Sequence, residues 1–152
     1  MLDEIDLKIL EILQKNGRIR RNDLAEAVGL STPSASERLR KIEETGYITG
    51  YFAKVDPKRL GKDVTAFILV TVDSSKHYSS FIEHANTTDE ILECHAVTGE
   101  GTHLLKIRTE NTSTLEKFLS KIQAWAGVVG TLTSVVLSTS KETNRIKINS
   151  IK

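Results

Sequence analysis

Residues 22–46, NDLAEAVGLSTPSASERLRKIEETG, constrain the fold of this chain more than any other stretch. Apolar residues at helical spacing predict two helices here, and Gly29 leads the three-residue turn between them. Ser31 or Thr32 can cap the second helix, and Pro33 stands in its first turn, where the missing N–H costs nothing. The pattern therefore predicts a helix-turn-helix unit.

A further helix precedes this unit. Ile5, Ile9, Ile12 and Leu13 fall on one helical face, and Asp3 is a suitable N-cap. After Gly46 the segment YITGYFAKVDP is rich in β-branched and aromatic residues, which predicts an extended linker strand. The predicted organisation is a three-helix domain over 1–46, a linker strand and turn over 47–63, a second domain over 64–140 and a C-terminal tail over 141–152.

The second domain reads as strand, helix, strand, strand, helix, strand, so the chain is predicted to be an α+β protein. This βαββαβ order is the signature of a ferredoxin-like fold. In its first strand, VTAFILVTV, Phe67 and Leu69 alternate with a second apolar set, so both faces carry apolar residues. Two helices cover only one face of such a sheet. We therefore favour a homodimer that covers the other face over the alternative that two apolar residues simply stand exposed.

Positive charge is concentrated near the helix-turn-helix unit. Residues 15–41 hold seven basic and three acidic residues, a net charge of +4, whereas residues 63–152 hold nine basic and ten acidic residues. The third helix would turn Ala35, Leu39 and Ile42 inward, and its small first residues could enter a major groove about 12 Å wide. This pattern predicts double-stranded DNA as partner, in preference to a solvated charged face. The predicted contacts are Ser31, Thr32, Ser34, Ser36, Glu37, Arg38, Arg40, Lys41, Arg20 and Arg21.

Other chemistries find little support in the sequence. Cys94 and His95 are neighbours on a predicted strand and point to opposite faces, so no metal site is expected. The chain lacks GxSxG, HExxH and Walker patterns, so we expect neither an enzyme nor a cofactor. The hairpin strands carry no exposed aromatic residues of the kind that bind RNA bases. The acidic N-terminus, the single cysteine and the lack of an apolar run of about 20 residues predict a cytoplasmic protein without a membrane partner.

The stretch AVTGEGTHLLKI, residues 96–107, contains a Gly-Glu-Gly sequence that could be taken for a phosphate-binding loop. Such a loop follows a strand and opens a helix, whereas this one joins two predicted strands. A hairpin turn explains Gly99 and Gly101. It leaves the crowding of Thr98, Glu100, Thr102 and His103 unexplained.

Three motifs of this chain closely resemble those of the leucine-responsive/asparagine-responsive (Lrp/AsnC, feast-famine) transcription regulators. They are the opening LD..D..IL, the block DLA..VGLS..S...R...IE..GYI.GY and the hairpin VTG....LLK, and the resemblance covers nearly the whole chain. It implies a winged-type helix-turn-helix domain and a RAM-type ligand-sensing domain in a nucleoid-associated bacterial or archaeal regulator. It also implies dimers that assemble into octamers or similar rings, with a small effector, usually an amino acid, bound between dimers at the hairpin.

The implied effector residues are Thr98, Gly99, Glu100, Gly101, Thr102, His103, Ser134 and Val136. In this reading Glu100 would pair with an α-ammonium group, and Thr102 and His103 would contact the effector's side chain. The chain departs from the family pattern at Thr102, where many members carry an acid, and at Gly101, where many carry an aromatic residue. Three alternatives follow: Glu100 takes over the ammonium, the ligand is of another kind, or the site is empty. A different functional class, a small-molecule sensor or assembly protein without DNA binding, also stays open.

Overall fold

The computed structural model describes residues 1–149, which form two compact units. The helical unit contains residues 1–54 together with the segment that begins at Lys141, and the sheet unit contains residues 55–140. In chain order the elements are α1 Glu4–Lys15, α2 Arg21–Val28, α3 Thr32–Glu44, β1 Val64–Val72, α4 Tyr78–Asn86, β2 Ile91–Ala96, β3 His103–Thr109, α5 Thr112–Gln123 and β4 Val128–Val135. No helix in this part of the chain is both long and apolar enough to cross a membrane.

The helical unit is built from α1, α2 and α3, as the sequence predicts. Asp3 caps α1, where its carboxylate accepts from the Asp6 N–H and the Asp6 carboxylate accepts from the Asp3 N–H. Gly29 ends α2 in the left-handed conformation, with φ of 70°, which a residue with a side chain adopts only at a cost. The buried core of the unit consists of Ile9, Leu13, Leu24, Leu39 and Ile42.

The linker does not form the strand predicted for residues 47–57, and the fold differs from expectation there. A strand needs a neighbouring strand to pair with its backbone groups, and none of residues 1–149 provides one at this segment. Tyr51 is held by its side chain instead, because its hydroxyl donates to Glu43 Oε1 over 2.7 Å. Tyr47, Phe52 and Val55 remain exposed.

The sheet unit has the ferredoxin-like arrangement. Its four strands are antiparallel in the order β2-β3-β1-β4. The buried residues alternate along β1 and β3, and α4 and α5 supply the apolar side chains that meet them. The core contains Ala66, Ile68, Val70, Val72, Phe81, Leu105, Ile107, Leu115, Phe118, Ile122 and Trp125.

The opposite face of the sheet carries an apolar strip across its central strands. Leu69 of β1 pairs with Leu104 of β3 on one side and with Leu132 of β4 on the other, so the three side chains share a face. Phe67 lies two residues along β1 on that face and is 39% exposed. Leu132 is 66% exposed. We call Phe67, Leu69, Leu104 and Leu132 the outer strip, and Phe67 and Leu69 lie on this face as the sequence predicts.

Candidate DNA interface and effector turn

The third helix presents two different faces. Ala35, Leu39 and Ile42 are buried against the rest of the helical unit, as predicted. Thr32, Ser34, Glu37, Arg40 and Lys41 are exposed, whereas Ser36 and Arg38 are half-buried. A solvent-facing row of small hydroxyl side chains followed by bases is what a helix needs to enter a major groove.

Ser31 sets the start of this helix. Its Oγ accepts from the N–H of Ser34 over 3.3 Å and donates to Ser34 Oγ over 2.9 Å. Pro33 fits the first turn because no intrahelical partner is lost there. The cap therefore keeps Ser31 and Ser34 side by side at the end of the helix that would face DNA.

Arg38, one of the predicted DNA contacts, is held by two carboxylates and does not point freely into solvent. Its Nη1 lies 2.6 Å from Asp3 Oδ2 and 2.9 Å from Asp6 Oδ1, so one guanidinium joins α3 to two carboxylates of α1. These carboxylates raise the pKa of Arg38. The Asp6 N–H and then Arg38 hold the pKa of Asp3 below its usual value. A helical period alone could not reveal this pairing, because the partners lie more than thirty residues away in sequence.

The other predicted bases divide into two groups. Arg40 is bound by Glu37 and Glu44 on its own helix, at 2.6 and 2.5 Å, and Arg20 by Asp23 at 2.9 Å. These pairs are exposed, so each costs little to exchange for a phosphate. Lys41 and Arg21 have no salt-bridge partner within residues 1–149 and are exposed.

The turn between β2 and β3 places Thr98, Gly99 and Glu100 in solvent. Gly99 has φ of 111°, which explains the glycine there. The Val97 N–H donates to the Thr102 carbonyl over 3.0 Å and closes the turn. Within residues 1–149 the four amide N–H groups of residues 98–101 make no hydrogen bond, so the turn presents several donors beside the Glu100 carboxylate.

Thr102 and Gly101, the two departures from the family pattern, both have structural roles. Thr102 Oγ1 accepts from the Val72 N–H over 3.0 Å and lies 3.1 Å from the Val70 carbonyl, to which it can donate. Gly101 is buried, and a Cβ built there would lie 2.4 Å from Leu69 Cγ. The glycine thus leaves room for a side chain of the outer strip.

His103 lies in the core of the sheet unit. It is 2% exposed, its ring contacts Tyr78 and Phe81 at centroid distances of 5.0 and 4.9 Å, and its Nδ1 lies 2.9 Å from Thr102 Oγ1. Burial lowers its pKa. Its side chain therefore faces α4 and not the exposed turn. In the sequence, the alternation of His103 with Leu105 and Ile107 indicates that its side chain faces the core.

Ser134 and Val136 do not join the turn within one chain. Ser134 pairs with Phe67, and the Val136 N–H donates to the Thr65 carbonyl over 2.8 Å. Both positions belong to the first half of β1, whereas Thr102 is bonded at Val70 and Val72 in its second half. Of the predicted effector residues, the turn therefore exposes Thr98, Gly99 and Glu100, with Gly101 buried beside them.

Comparison with known proteins agrees with this division into two units. Residues 2–49 match the winged helix-turn-helix DNA-binding model, and residues 65–146 match the Lrp/AsnC ligand binding domain. The chain is 41% identical to the HTH-type transcriptional regulator FL11 of Pyrococcus horikoshii, with 97% of each chain covered. It is 44% identical to the HTH-type transcriptional regulator YezC of Bacillus subtilis, over 91% of this chain and 96% of that one. A solved transcriptional regulator of Neisseria meningitidis in complex with L-Met superposes with a TM-score of 0.94 at 30% identity, covering 98% of each chain.

A helical unit with an exposed recognition helix, followed by a separate ligand-binding unit, defines a DNA-binding transcription regulator and not an enzyme. The chain belongs to the Lrp/AsnC family. This confirms the resemblance drawn from the sequence motifs, together with the predicted fold class.

Proposed function

We propose that this regulator binds DNA as a dimer that places two copies of α3 in successive major grooves. Grooves on one face of the duplex are about 34–36 Å apart, so the sites would be pseudo-palindromic. Thr32, Ser34 and Lys41 are exposed along the recognition helix and are the strongest candidates for base and phosphate contacts. Arg21, Arg20 and Arg40 would meet the backbone, the last two by exchanging a surface carboxylate for a phosphate.

The outer strip supports a dimer formed through the sheet. Apolar side chains from three neighbouring strands, Phe67, Leu69, Leu104 and Leu132, lie together on the face that α4 and α5 leave uncovered. A contiguous apolar face of this kind is typical of an interaction surface. A second copy would cover it with an identical strip in a two-fold arrangement.

The effector we propose is an amino acid bound at residues 98–101. The observation that carries this proposal is that the amide N–H groups of residues 98–101 make no hydrogen bond within residues 1–149, and that residues 98–100, Glu100 among them, are exposed. The amides would bind the α-carboxylate and Glu100 the α-ammonium. The bound L-Met of the Neisseria meningitidis regulator supports an amino acid as the ligand class. His103 is left out of this set because it is buried, and Thr102 would act by holding the turn.

A single turn is open on its outer side, so a second dimer would complete the site. An effector bound there would act only through its different affinity for alternative dimer–dimer arrangements. Rings such as octamers would suit this arrangement. A regulator of this kind would work in the cytoplasm of a bacterium or archaeon, where the DNA is.

Thermal unfolding in the presence of each of the twenty amino acids tests the effector proposal. A ligand should raise the melting temperature by mass action. Glu100→Gln should weaken binding of that amino acid about tenfold or more, because the acceptor of the α-ammonium loses its negative charge. Glu116→Gln removes an exposed acid on α5 and is the matched control. Equal affinity of Glu100→Gln and the wild type would remove Glu100 from the site.

A gel-shift assay with the promoter region of the protein's own gene tests the DNA proposal. The wild type should shift the duplex at low salt and lose affinity steeply as salt rises. No shift at low salt would instead favour the alternative of a sensor or assembly protein that does not bind DNA.

A further inference from the structure

The C-terminal segment of the chain, residues 141–149, is fixed on the helical unit. The side-chain amide of Gln14 donates to the Ile146 carbonyl over 3.0 Å and accepts from the Ile146 N–H over 2.6 Å. Lys54 Nζ lies 3.4 Å from the Glu142 carbonyl and 3.7 Å from its carboxylate. We call residues 141–149 the C-terminal arm. The side-chain amide of Gln14 bonds both backbone groups of Ile146, as a neighbouring strand would. Gln14 and Lys54 together hold the arm at two points.

A basic groove of about 400 Å³ lies where the arm meets the end of α1. Its bases are Lys15 on α1 and Lys141, Arg145 and Lys147 on the arm, and its one acid is Glu11. All four bases are exposed and have no salt-bridge partner within residues 1–149. Such an excess of unpaired positive charge along one groove matches the phosphate backbone of a nucleic acid.

Lys15 of the groove begins a run of bases that leads along the chain into the helix-turn-helix. Lys15 ends α1, and Arg18, Arg20 and Arg21 follow within six residues, at the start of α2. In a helix-turn-helix protein the helix that precedes the recognition helix crosses the DNA backbone. The arm lies at the C-terminal end of α1, from which the chain leads into α2, so its bases would add to those proposed to meet the phosphates.

We propose that the C-terminal arm is part of the DNA interface and binds the phosphate backbone beside the site that α3 reads. This proposal rests on the binding of DNA through α3. Lys141, Arg145 and Lys147 neutralise phosphates and carry no sequence information, so they add affinity and not specificity. Because Gln14 already fixes the arm, less side-chain and backbone freedom is lost on binding than with a loose tail.

The test is DNA binding by the full chain, measured by fluorescence anisotropy at several salt concentrations. The triple variant K141Q/R145Q/K147Q keeps the backbone contacts of Ile146 with Gln14. It should bind the promoter duplex about tenfold more weakly, and its plot of log affinity against log salt should be less steep by about two to three. The triple variant K76Q/K117Q/K121Q removes the same charge from exposed lysines of the sheet unit and should match the wild type. A purely structural role of the arm would leave the salt slope unchanged.

A second variant tests the contact between Gln14 and Ile146 of the arm. Gln14→Ala keeps every charge and should weaken binding to a smaller extent, because the freed arm must be ordered again. If K141Q/R145Q/K147Q keeps the wild-type salt slope, the proposal is overturned. If Gln14→Ala keeps the wild-type DNA affinity, the contact of Gln14 with Ile146 does not contribute to binding. Lys41→Ala distinguishes this failure from a failure of the DNA proposal itself. If the wild type binds and Lys41→Ala binds more weakly with a salt slope reduced by about one, α3 contacts DNA whatever the arm does.

Discussion

Arg38 on the recognition helix holds its guanidinium 2.9 Å from the carboxylate of Asp6 on α1, which is itself largely buried. Asp3 approaches the same nitrogen to 2.6 Å. Two carboxylates on one guanidinium leave a net negative charge, which does not attract a phosphate. Arg38 thus joins α3 to the start of α1 within the helical unit, and we expect the DNA contacts to come from its exposed neighbours instead.

We expect Arg38→Ala to lower stability and Lys41→Ala to weaken DNA binding, each with little effect on the other property. Arg38→Ala should lower the free energy of unfolding by about 0.5–1 kcal/mol, because Asp6 loses its partner, and should leave the salt slope of DNA binding nearly unchanged. Lys41→Ala should leave stability within about 0.5 kcal/mol and reduce the slope by about one. Far-UV circular dichroism with denaturant and anisotropy with the promoter duplex measure the two effects.

Asp6→Asn serves as the control for this pair. It weakens the contact of Arg38 with Asp6 from the α1 side and removes no base, so it should reproduce the stability loss of Arg38→Ala. In the double variant, the two losses in free energy of unfolding should not add. A reduced salt slope with unchanged stability in Arg38→Ala would show that Arg38 contacts DNA after all.

The sequence predicted the helices closely because their signals are local. Asp3, Gly29 and Ser31 act on backbone groups within a few residues of themselves, and the structure uses each of them as expected. The pairing of Arg38 with Asp3 and Asp6 depends on how α3 packs against α1, so helical spacing cannot predict it. The predicted linker strand also failed for a non-local reason, since its aromatic and β-branched residues have no strand beside them.

His103 should make the sheet unit less stable in mild acid. Burial disfavours the charged imidazolium, so the pKa of His103 is below its ordinary value of 6.5 in the folded chain. The unfolded chain therefore binds the proton first. Stability is complete above the unfolded pKa and falls as pH drops below about 6.5 towards the folded pKa. Unfolding followed by the fluorescence of Trp125, the chain's one tryptophan, reports this unit.

His103→Phe removes the titrating group and keeps a ring between Tyr78 and Phe81, so its stability should depend less on pH over this range. His95→Gln is the control, because His95 is exposed on β2, and should keep the wild-type dependence. An unchanged pH profile in His103→Phe would contradict the assignment.

The effector turn was harder to predict than the fold. The hairpin and its glycines follow from the sequence, because two strand patterns flank a short Gly-rich stretch. Which polar residues face outward depends on strand register. One position separates Thr102, bonded to β1, from His103 in the core. The alternation of His103 with Leu105 and Ile107 indicates this difference, but the crowding of polar residues in the turn favoured grouping the two residues together.

Gly101→Ala should disturb the outer strip through Leu69. The added Cβ would lie 2.4 Å from Leu69 Cγ, so Leu69 must move. We expect a loss of about 1–2 kcal/mol in the unfolding of the sheet unit, from overpacking at a buried position. Gly130→Ala adds the same methyl group where no atom lies within 4 Å and should be nearly neutral. In a Leu69→Ala background, Gly101→Ala should lower the free energy of unfolding much less. An equal loss in both backgrounds would show that Leu69 does not obstruct the added methyl group.

Leu132→Glu should convert the proposed dimer into a monomer. Leu132 is 66% exposed and lies beside Leu69 on the outer strip, so a second copy would bury the new carboxylate against apolar side chains without a partner. Sedimentation should show the monomer, and the Trp125 signal should still report a folded sheet unit, because the side chain of residue 132 faces solvent within one chain.

Ile82→Glu places the same charge on the helical side of the sheet unit, at a residue that is 42% exposed, and should leave the dimer intact. DNA affinity should fall in Leu132→Glu alone, since a monomer reads one half-site. A dimer that persists in Leu132→Glu would mean that another surface joins the two copies.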